Sequence, residues 1–154
     1  GGGSRAPLVH QVIQNNDLAN RVHLAGQVSQ TDLPAVYHAA DLYVSASRSD
    51  GSSVSLMEAL GCGLPVLVSD IPGNREWVED GCQGWLFKDG DSSALAERLL
   101  AAAENRARLP QMGMAARRLA EERADWKKNF QTLLQAYEAA AGLAAGGGEK
   151  RGMR

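Results

Sequence analysis

The chain has 154 residues, 44% of them hydrophobic and 22% charged, which is enough apolar material for one compact core and excludes wholesale disorder. A net charge of −2 does not favour general nucleic-acid binding, and no run of about eighteen apolar residues indicates a membrane-spanning helix. The charge is uneven: residues 32–91 contain ten acidic and three basic residues, whereas residues 98–154 contain six acidic and eleven basic ones.

Helical and apolar patterns alternate from the start of the chain. Residues 5–16 carry apolar side chains at helical spacing and predict a first helix. The apolar run at residues 22–25 predicts a first strand, and residues 31–38 predict a second helix that Thr31 or Asp32 caps.

Three further strands are predicted at residues 42–46, 65–69 and 84–87, the last of them short. The first two are apolar throughout, as in parallel sheets that are covered on both faces. Residues 54–60 predict a helix between them, and Gly61 is expected at the left-handed position that ends it. The alternation predicts an α/β fold, with a Rossmann-like parallel sheet of three to four strands flanked by helices.

The last third of the chain is predicted to be helical. Helices are expected at residues 91–105, where Asp91 would be the cap, and at residues 111–123 and 126–141. The last helix has an apolar stripe, which either packs against its own domain or is left exposed: Trp126, Phe130, Leu133, Leu134 and Tyr137.

The domain organisation follows from the two ends of the chain. Residues 142–154 are rich in glycine, have no apolar period, and predict a disordered tail after a domain of residues 1–141. The chain opens with glycines and enters a helix directly, as if it began in the loop after a strand. We therefore expect a fragment whose domain is incomplete at its N-terminus.

Two loops compete as the ligand site, because parallel α/β sheets bind ligands beyond the carboxyl ends of their strands. They are the Asp50 loop (residues 45–53) and the Gly73 loop (residues 70–76). The Asp50 loop is the better candidate, because Gly51 lets a ligand approach the backbone and Ser52 or Ser53 can cap the next helix. With few cations in this part of the chain, a bound diphosphate would depend mainly on backbone N–H groups.

Two acids belong to this candidate site. Asp50 lies before the predicted helix, and Glu58 lies inside it, on the order of 8 Å along the helix axis. A helical side chain leans towards the N-terminus, so both carboxylates are expected near the same end of the helix. Glu58 would accept hydrogen bonds from ribose hydroxyls and Asp50 from those of a sugar. The alternative is a turn residue and a solvated helix residue.

The stretch DGSSVSLMEALGCGLPV, residues 50–66, resembles the signature of family 4 glycosyltransferases, which are retaining enzymes of the GT-B fold. The family has two acids separated by seven residues and then a Glu-Ala-x-x-x-Gly-x-Pro-Val run, as here. Residues 22–26, 33–37, 73–76 and 80–86 resemble the family in the same order, so the likeness covers about residues 1–140. It suggests the C-terminal donor-binding domain, truncated at its N-terminus.

The resemblance implies a parent enzyme that moves a sugar from a nucleoside diphosphate donor to a hydroxyl acceptor with retention, without a metal or another cofactor. Glu58 would bind the ribose, and Asp50, where the family more often has Glu, would meet the donor sugar as the other catalytic acid. The remaining expected contacts are the diphosphate at Gly51, Ser52, Ser53 and Val54, and the nucleobase near Gly26, Gln27 and Val28.

The family's diphosphate-neutralising cations and its first domain, which would hold a saccharide or lipid-linked acceptor, have no counterpart here. We therefore expect the chain alone to be inactive. The alternatives are a nucleotide-sugar epimerase of the same fold and a non-catalytic nucleotide-binding remnant.

The remaining features are weaker. Cys62 and Cys82 lack metal-ligand spacing and are interpreted as free thiols of a cytoplasmic protein, with no metal site. The basic excess after residue 98 predicts solvated helix faces, with contact to an anionic membrane surface as the alternative. No nucleic-acid partner is expected.

Overall fold

The computed structural model describes residues 3–146, with side chains to residue 142. The chain separates into two compact units, Gly1–Ala39 and Ala40–Arg154. Residues 147–154, where most of the disordered tail is predicted, lie outside the described residues.

The first unit contains two helices, α1 (Ala6–Asn15) and α2 (Leu33–His38), each with a proline in its first turn. Proline fits there because the first N–H groups of a helix have no partner within it. Residues 22–25, predicted as a strand, do not form one, and Val22 and Leu24 are exposed. A strand exists only through hydrogen bonds to a neighbour, and none of the described strands pairs with this segment.

The second unit is built on a parallel sheet of three strands, β1 (Tyr43–Ser45), β2 (Val66–Ser69) and β3 (Gly84–Phe87), in the order β1-β2-β3. Val44, Leu67 and Trp85 lie in register across it. The central strand β2 is buried along its whole length, which explains its continuous apolar sequence. The predicted α/β fold with a parallel sheet flanked by helices is confirmed.

Among the described residues, five α-helices and a short 3-10 helix (Arg106–Arg108) accompany this sheet. Those after residue 90 lie where they are predicted, and Asp91 caps the first of them by accepting hydrogen bonds from the N–H groups of Ser93 and Ala94, at 3.1 and 3.0 Å. The short helix α4 was predicted as loop, and α7 extends past the predicted end at residue 141. The five are α3 (Val54–Gly61), α4 (Pro72–Arg75), α5 (Ser92–Glu104), α6 (Leu109–Arg123) and α7 (Trp126–Gly146).

The core lies between the sheet and its helices. Leu67, Trp85 and Phe87 of the sheet form one cluster with Ala102 of α5 and Met112 of α6. The helix α3 packs against β1, β2 and α6. This packing fixes α3 at the carboxyl end of β1, where the Asp50 loop leads into it.

The apolar stripe of α7 is not part of this core. All five of its large side chains are exposed, and the rings of Trp126 and Phe130 stack on each other with centroids 5.8 Å apart. Within residues 3–146, no helix combines the length and the apolar character that a membrane crossing needs.

Candidate functional site

The N-terminus of α3 is capped by a serine. Ser53 has an extended backbone, and its Oγ accepts a hydrogen bond from the Leu56 N–H at 3.4 Å. Of the two serines considered from the sequence, Ser53 is therefore the cap. The first N–H groups of a helix have no carbonyl partner within it, and Val54, the first residue of α3, is 64% exposed. This helix end offers N–H donors to solvent or to a ligand.

A hydroxyl cluster lies beside this helix end. The Tyr43 hydroxyl is 2.8 Å from Ser55 Oγ, which is 3.2 Å from Ser53 Oγ. No sequence pattern marks the hydroxyls of Tyr43 and Ser55 as neighbours. Their twelve-residue separation carries no local signal, because only the packing of α3 on β1 brings them together.

The other end of α3 differs from the prediction. Gly61 is the last helical residue, and the left-handed position belongs to Gly63, with φ +73°. The Gly63 N–H donates to the Leu60 carbonyl at 2.9 Å, and the Leu64 N–H donates to the Ala59 carbonyl at 3.0 Å. These two bonds satisfy the last helical carbonyls, and they need the positive φ at Gly63 rather than at Gly61.

The two candidate loops touch each other. A Cβ at Gly73 would overlap the carbonyl oxygens of Asp50 and Gly51, so the backbones are in direct contact there. Ser69, at the end of β2, donates its hydroxyl to the Ser47 carbonyl and accepts from the Asn74 side-chain amide at 3.3 Å. The Gly73 loop therefore packs against the Asp50 loop and supports its backbone, and is not a competing ligand site.

A cavity of about 700 Å³ lies along one face of α3 and is here named the α3–α6 cavity. It extends along α3 from Val54 at the first turn to Gly61 at the last, and Glu58 lines it between them. Its charged residues from α6 and the start of α7 are Arg117, Glu121, Asp125 and Lys128. The structure therefore brings the predicted diphosphate residue Val54 and the predicted ribose residue Glu58 to one space.

Each cation of the α3–α6 cavity has a carboxylate nearby. Arg117 Nε donates to Glu121 Oε1 at 2.7 Å, and Lys128 Nζ lies 3.7 Å from Asp125 Oδ2. The sequence analysis found no cation for this site, since both residues lie more than fifty positions after Glu58. Their only signal was the basic excess after residue 98, which was interpreted as solvated helix faces.

The other predicted site residues lie outside this cavity. Asp50, Gly51 and Ser52 are exposed, and none of them lines the α3–α6 cavity. The convergence of Asp50 and Glu58 on one ligand stays a prediction. Gly26, Gln27 and Val28 belong to the first unit, where Gly26 has φ +66° and lines a separate cavity of about 490 Å³.

The Gly73 loop holds an exposed ion pair. Arg75 donates to both carboxylate oxygens of Asp70, at 2.5 and 2.9 Å. These hydrogen bonds, with the positive charge of Arg75, hold the pKa of Asp70 below its ordinary value. Just beyond the loop, the guanidinium of Arg123 lies 4.8 Å from the ring centroid of Trp77.

Comparison with known proteins shows the family and the fold. Residues 1–119 match the family described as glycosyl transferases group 1. The chain belongs to this family. Its three-stranded sheet and flanking helices are those of GT-B glycosyltransferases, the fold that the sequence resemblance implied. Family 4 membership in particular stays a prediction.

Similar proteins act on sugars or bind sugar nucleotides. The chain is 33% identical over 129 residues to a phosphatidyl-myo-inositol mannosyltransferase of Mycobacterium leprae, covering 83% of this chain. HepE of Anabaena, solved in complex with UDP-glucose, is similar with a TM-score of 0.79 and 28% identity over 86% of this chain. Sucrose-phosphate synthase of Thermosynechococcus elongatus shares the fold, with a TM-score of 0.84, 24% identity and coverage of 92% of this chain.

These proteins are much longer than the chain. It spans 34% of the mannosyltransferase, 36% of HepE and 35% of the sucrose-phosphate synthase.

Proposed function

We propose that this chain binds a nucleoside diphosphate sugar as the donor-binding part of a retaining glycosyltransferase. The observation that carries the proposal is the α3–α6 cavity, because Val54 at the N-terminus of α3 and Glu58 inside α3 line the same space. A diphosphate at the helix end and a ribose at the carboxylate would occupy that space together. The complexes of HepE with UDP and UDP-glucose support a donor of this class.

The roles of the site residues follow from their chemistry. The N–H groups of Gly51, Ser52, Ser53 and Val54 bind the diphosphate, whose charge the N-terminal end of the helix dipole favours. Glu58 accepts hydrogen bonds from the two ribose hydroxyls. These hydrogen bonds are strong because the carboxylate acceptor is charged. Asp50, exposed on its loop, contacts the donor sugar.

The nucleobase and the acceptor involve other parts of the protein. Backbone groups at Gly26, Gln27 and Val28 contact the base, and a further domain holds a saccharide or lipid-linked hydroxyl acceptor. We propose transfer with retention of configuration and without a catalytic metal, as the sequence resemblance implies. We place it in the cytoplasm on the interpretation of Cys62 and Cys82 as free thiols. The chain alone binds the donor and does not transfer the sugar.

Calorimetric titration of the 154-residue chain with UDP tests the proposal. The Glu58→Gln variant is expected to bind UDP at least about tenfold more weakly, because a charge-assisted contact to the ribose is lost. Glu122→Gln is the matched control, since Glu122 is an exposed acid of α6 that does not line the cavity. Binding with and without Mg²⁺ should be equal.

Two outcomes would favour other functions. No heat of binding from the wild type at millimolar UDP would favour a non-catalytic remnant. A longer protein that carries an acceptor domain before this chain should transfer sugar and lose the activity with Glu58→Gln, whereas epimerised donor without transfer would favour the epimerase.

A further inference from the structure

Arg117, on α6, connects α6 with the helix that carries Glu58. Its Nη1 donates to the carbonyl oxygen of Gly61, the last residue of α3, and its Nε donates to Glu121. The same side chain lines the α3–α6 cavity together with Glu58. Arg117 therefore links the end of α3 to the cavity that Glu58 also lines.

The contact lies beside a close backbone approach between α6 and the turn that follows α3. A Cβ at Gly113 would overlap the Gly63 carbonyl oxygen, and a Cβ at Gly63 would lie 3.7 Å from Arg117 Cβ. Backbones in such contact leave little freedom at this end of the eight-residue helix α3. Arg117, one turn after Gly113, fixes the carbonyl of Gly61 within this close approach.

The Gly61 carbonyl belongs to the last turn of α3, where carbonyls have no partner within the helix and the helix dipole is negative. The positively charged guanidinium of Arg117 is therefore a favourable hydrogen-bond donor to the Gly61 carbonyl. Glu58 precedes Gly61 by three residues, so the two lie on the same face of α3, one turn apart. A contact that fixes the Gly61 carbonyl therefore restrains the rotation of α3 about its axis, and with it the backbone position from which the Glu58 side chain extends.

We propose that Arg117 is a positioning residue, which holds α3 against α6 so that the Glu58 carboxylate meets the ribose hydroxyls of the bound nucleotide. The inference rests on the proposed function, since it assumes that Glu58 contacts the ribose. Glu121 fixes the guanidinium by accepting from Nε, which leaves Nη1 aimed at Gly61. A planar guanidinium can make both bonds in fixed directions, which a lysine ammonium cannot.

Two nucleotides separate positioning from other effects of the residue. UDP has the two ribose hydroxyls, and 2′,3′-dideoxyuridine diphosphate lacks them but keeps the base and the diphosphate. Loss of a nearby positive charge, or partial unfolding, would weaken the binding of both nucleotides alike. Misplacement of Glu58 weakens the binding of UDP alone.

The experiment is calorimetric titration of the wild type, Arg117→Met and the matched control Arg118→Met with both nucleotides. Arg118 is exposed on α6 and does not line the cavity. We expect Arg117→Met to weaken UDP binding about tenfold and to leave binding of the dideoxy nucleotide within about twofold. Arg118→Met should change neither value, and Arg117→Lys should not restore the preference for UDP.

The possible failures are distinguishable. If Arg117→Met weakens both nucleotides equally, or neither of them, while the wild type prefers UDP, the positioning role is overturned and the proposed function stands. If the wild type binds both nucleotides equally, the ribose contact of Glu58 is wrong and the positioning role falls with it, whereas binding of a nucleoside diphosphate stands. If the wild type binds neither nucleotide, the proposed function falls as well. Should Arg117→Met not fold, Arg117→Lys makes the same comparison, with the same loss of preference expected.

Discussion

The Asp50 loop and the Gly73 loop follow neighbouring strands of one sheet and have similar polar, glycine-containing sequences, yet their environments are opposite. Asp50, Gly51 and Ser52 are exposed, whereas Gly73 and Asn74 are buried. The Asn74 side-chain amide donates to the carbonyl and the hydroxyl of Ser69, so the second loop is fixed to the end of β2. The Asp50 loop presents polar groups to solvent, and the Gly73 loop holds the Asp50 loop in place.

The difference shows that a loop at the carboxyl edge of a sheet need not itself be a binding loop. The Gly73 loop contributes a surface without a side chain, on which the Asp50 and Gly51 carbonyls rest. This arrangement orients the start of α3. Three predictions test this division between the Gly73 loop as the supporting loop and the Asp50 loop as the presenting loop, beginning with the largest expected effect.

The contact between the loops is broken most directly by Gly73→Ala. A Cβ at this position would overlap two backbone carbonyls, which cannot move aside as a flexible side chain can. We expect a loss of about 3 kcal/mol in the free energy of unfolding, measured by urea denaturation. UDP binding should also weaken, because the Asp50 loop is displaced.

Gly51→Ala is the control on the other loop. A Cβ there would have no atom within 4 Å, so the free energy of unfolding should change by less than about 0.5 kcal/mol. Equal destabilisation by the two substitutions would contradict the division between the loops.

The next effect concerns the end of the presenting loop, where Ser53→Ala removes the cap of α3. The Leu56 N–H then loses its acceptor, and the expected loss is about 1 kcal/mol in the free energy of unfolding. Ser53→Asn, which can also cap, should retain the stability. Thermal denaturation of the two variants beside Ser52→Ala checks this, and a loss with Ser52→Ala as large as with Ser53→Ala would argue against the cap.

The smallest effect is the pH dependence from the ion pair of the supporting loop. Because Arg75 lowers the pKa of folded Asp70 below the ordinary 3.8, the pair stabilises the fold above that value. This stability is lost as the pH falls through the lowered pKa. Asp70→Asn should therefore show a shallower loss of unfolding free energy on acidification from about pH 5 to pH 2 than the wild type.

The same acid titration can be made with Arg75→Gln, which removes the other partner and should give the same shallower curve. Curves parallel to the wild type in both variants would show that the pair does not contribute. UDP affinity at neutral pH should stay unchanged in both, since the pair is exposed and neither residue lines the α3–α6 cavity.

Much of the fold could be predicted from local signals in the sequence. Local signals mark the apolar runs at β2 and β3, a cap at Ser52 or Ser53, the cap at Asp91 and the periodicity of α5 and α6. The structure confirms them and selects Ser53 as the cap. Residues 22–25 have the same apolar character as a strand, yet they have no described strand beside them. The composition of a segment shows that it could form a strand. It does not show whether another strand lies beside the segment to accept and donate the hydrogen bonds.

The candidate site was predicted only in part. The Asp50 loop and Glu58 belong to one continuous stretch whose pattern marks them. The stretch does not include Tyr43, Arg117 or Lys128. These residues come close to it only through tertiary packing, including that of α3 against β1 and α6. The left-handed turn was assigned to Gly61 instead of Gly63 for a related reason, as two nearby glycines are equivalent until the chain path towards β2 is known.

The sequence by itself determined the α/β class, the capped helix after the Asp50 loop and the place of Glu58 within that helix, because each depends on residues a few positions apart. Only the tertiary structure decided that the Gly73 loop supports its neighbour and that Arg117 reaches Gly61. Those contacts join residues more than twenty positions apart, and they form through close backbone approach at glycines, which no periodicity in the sequence encodes.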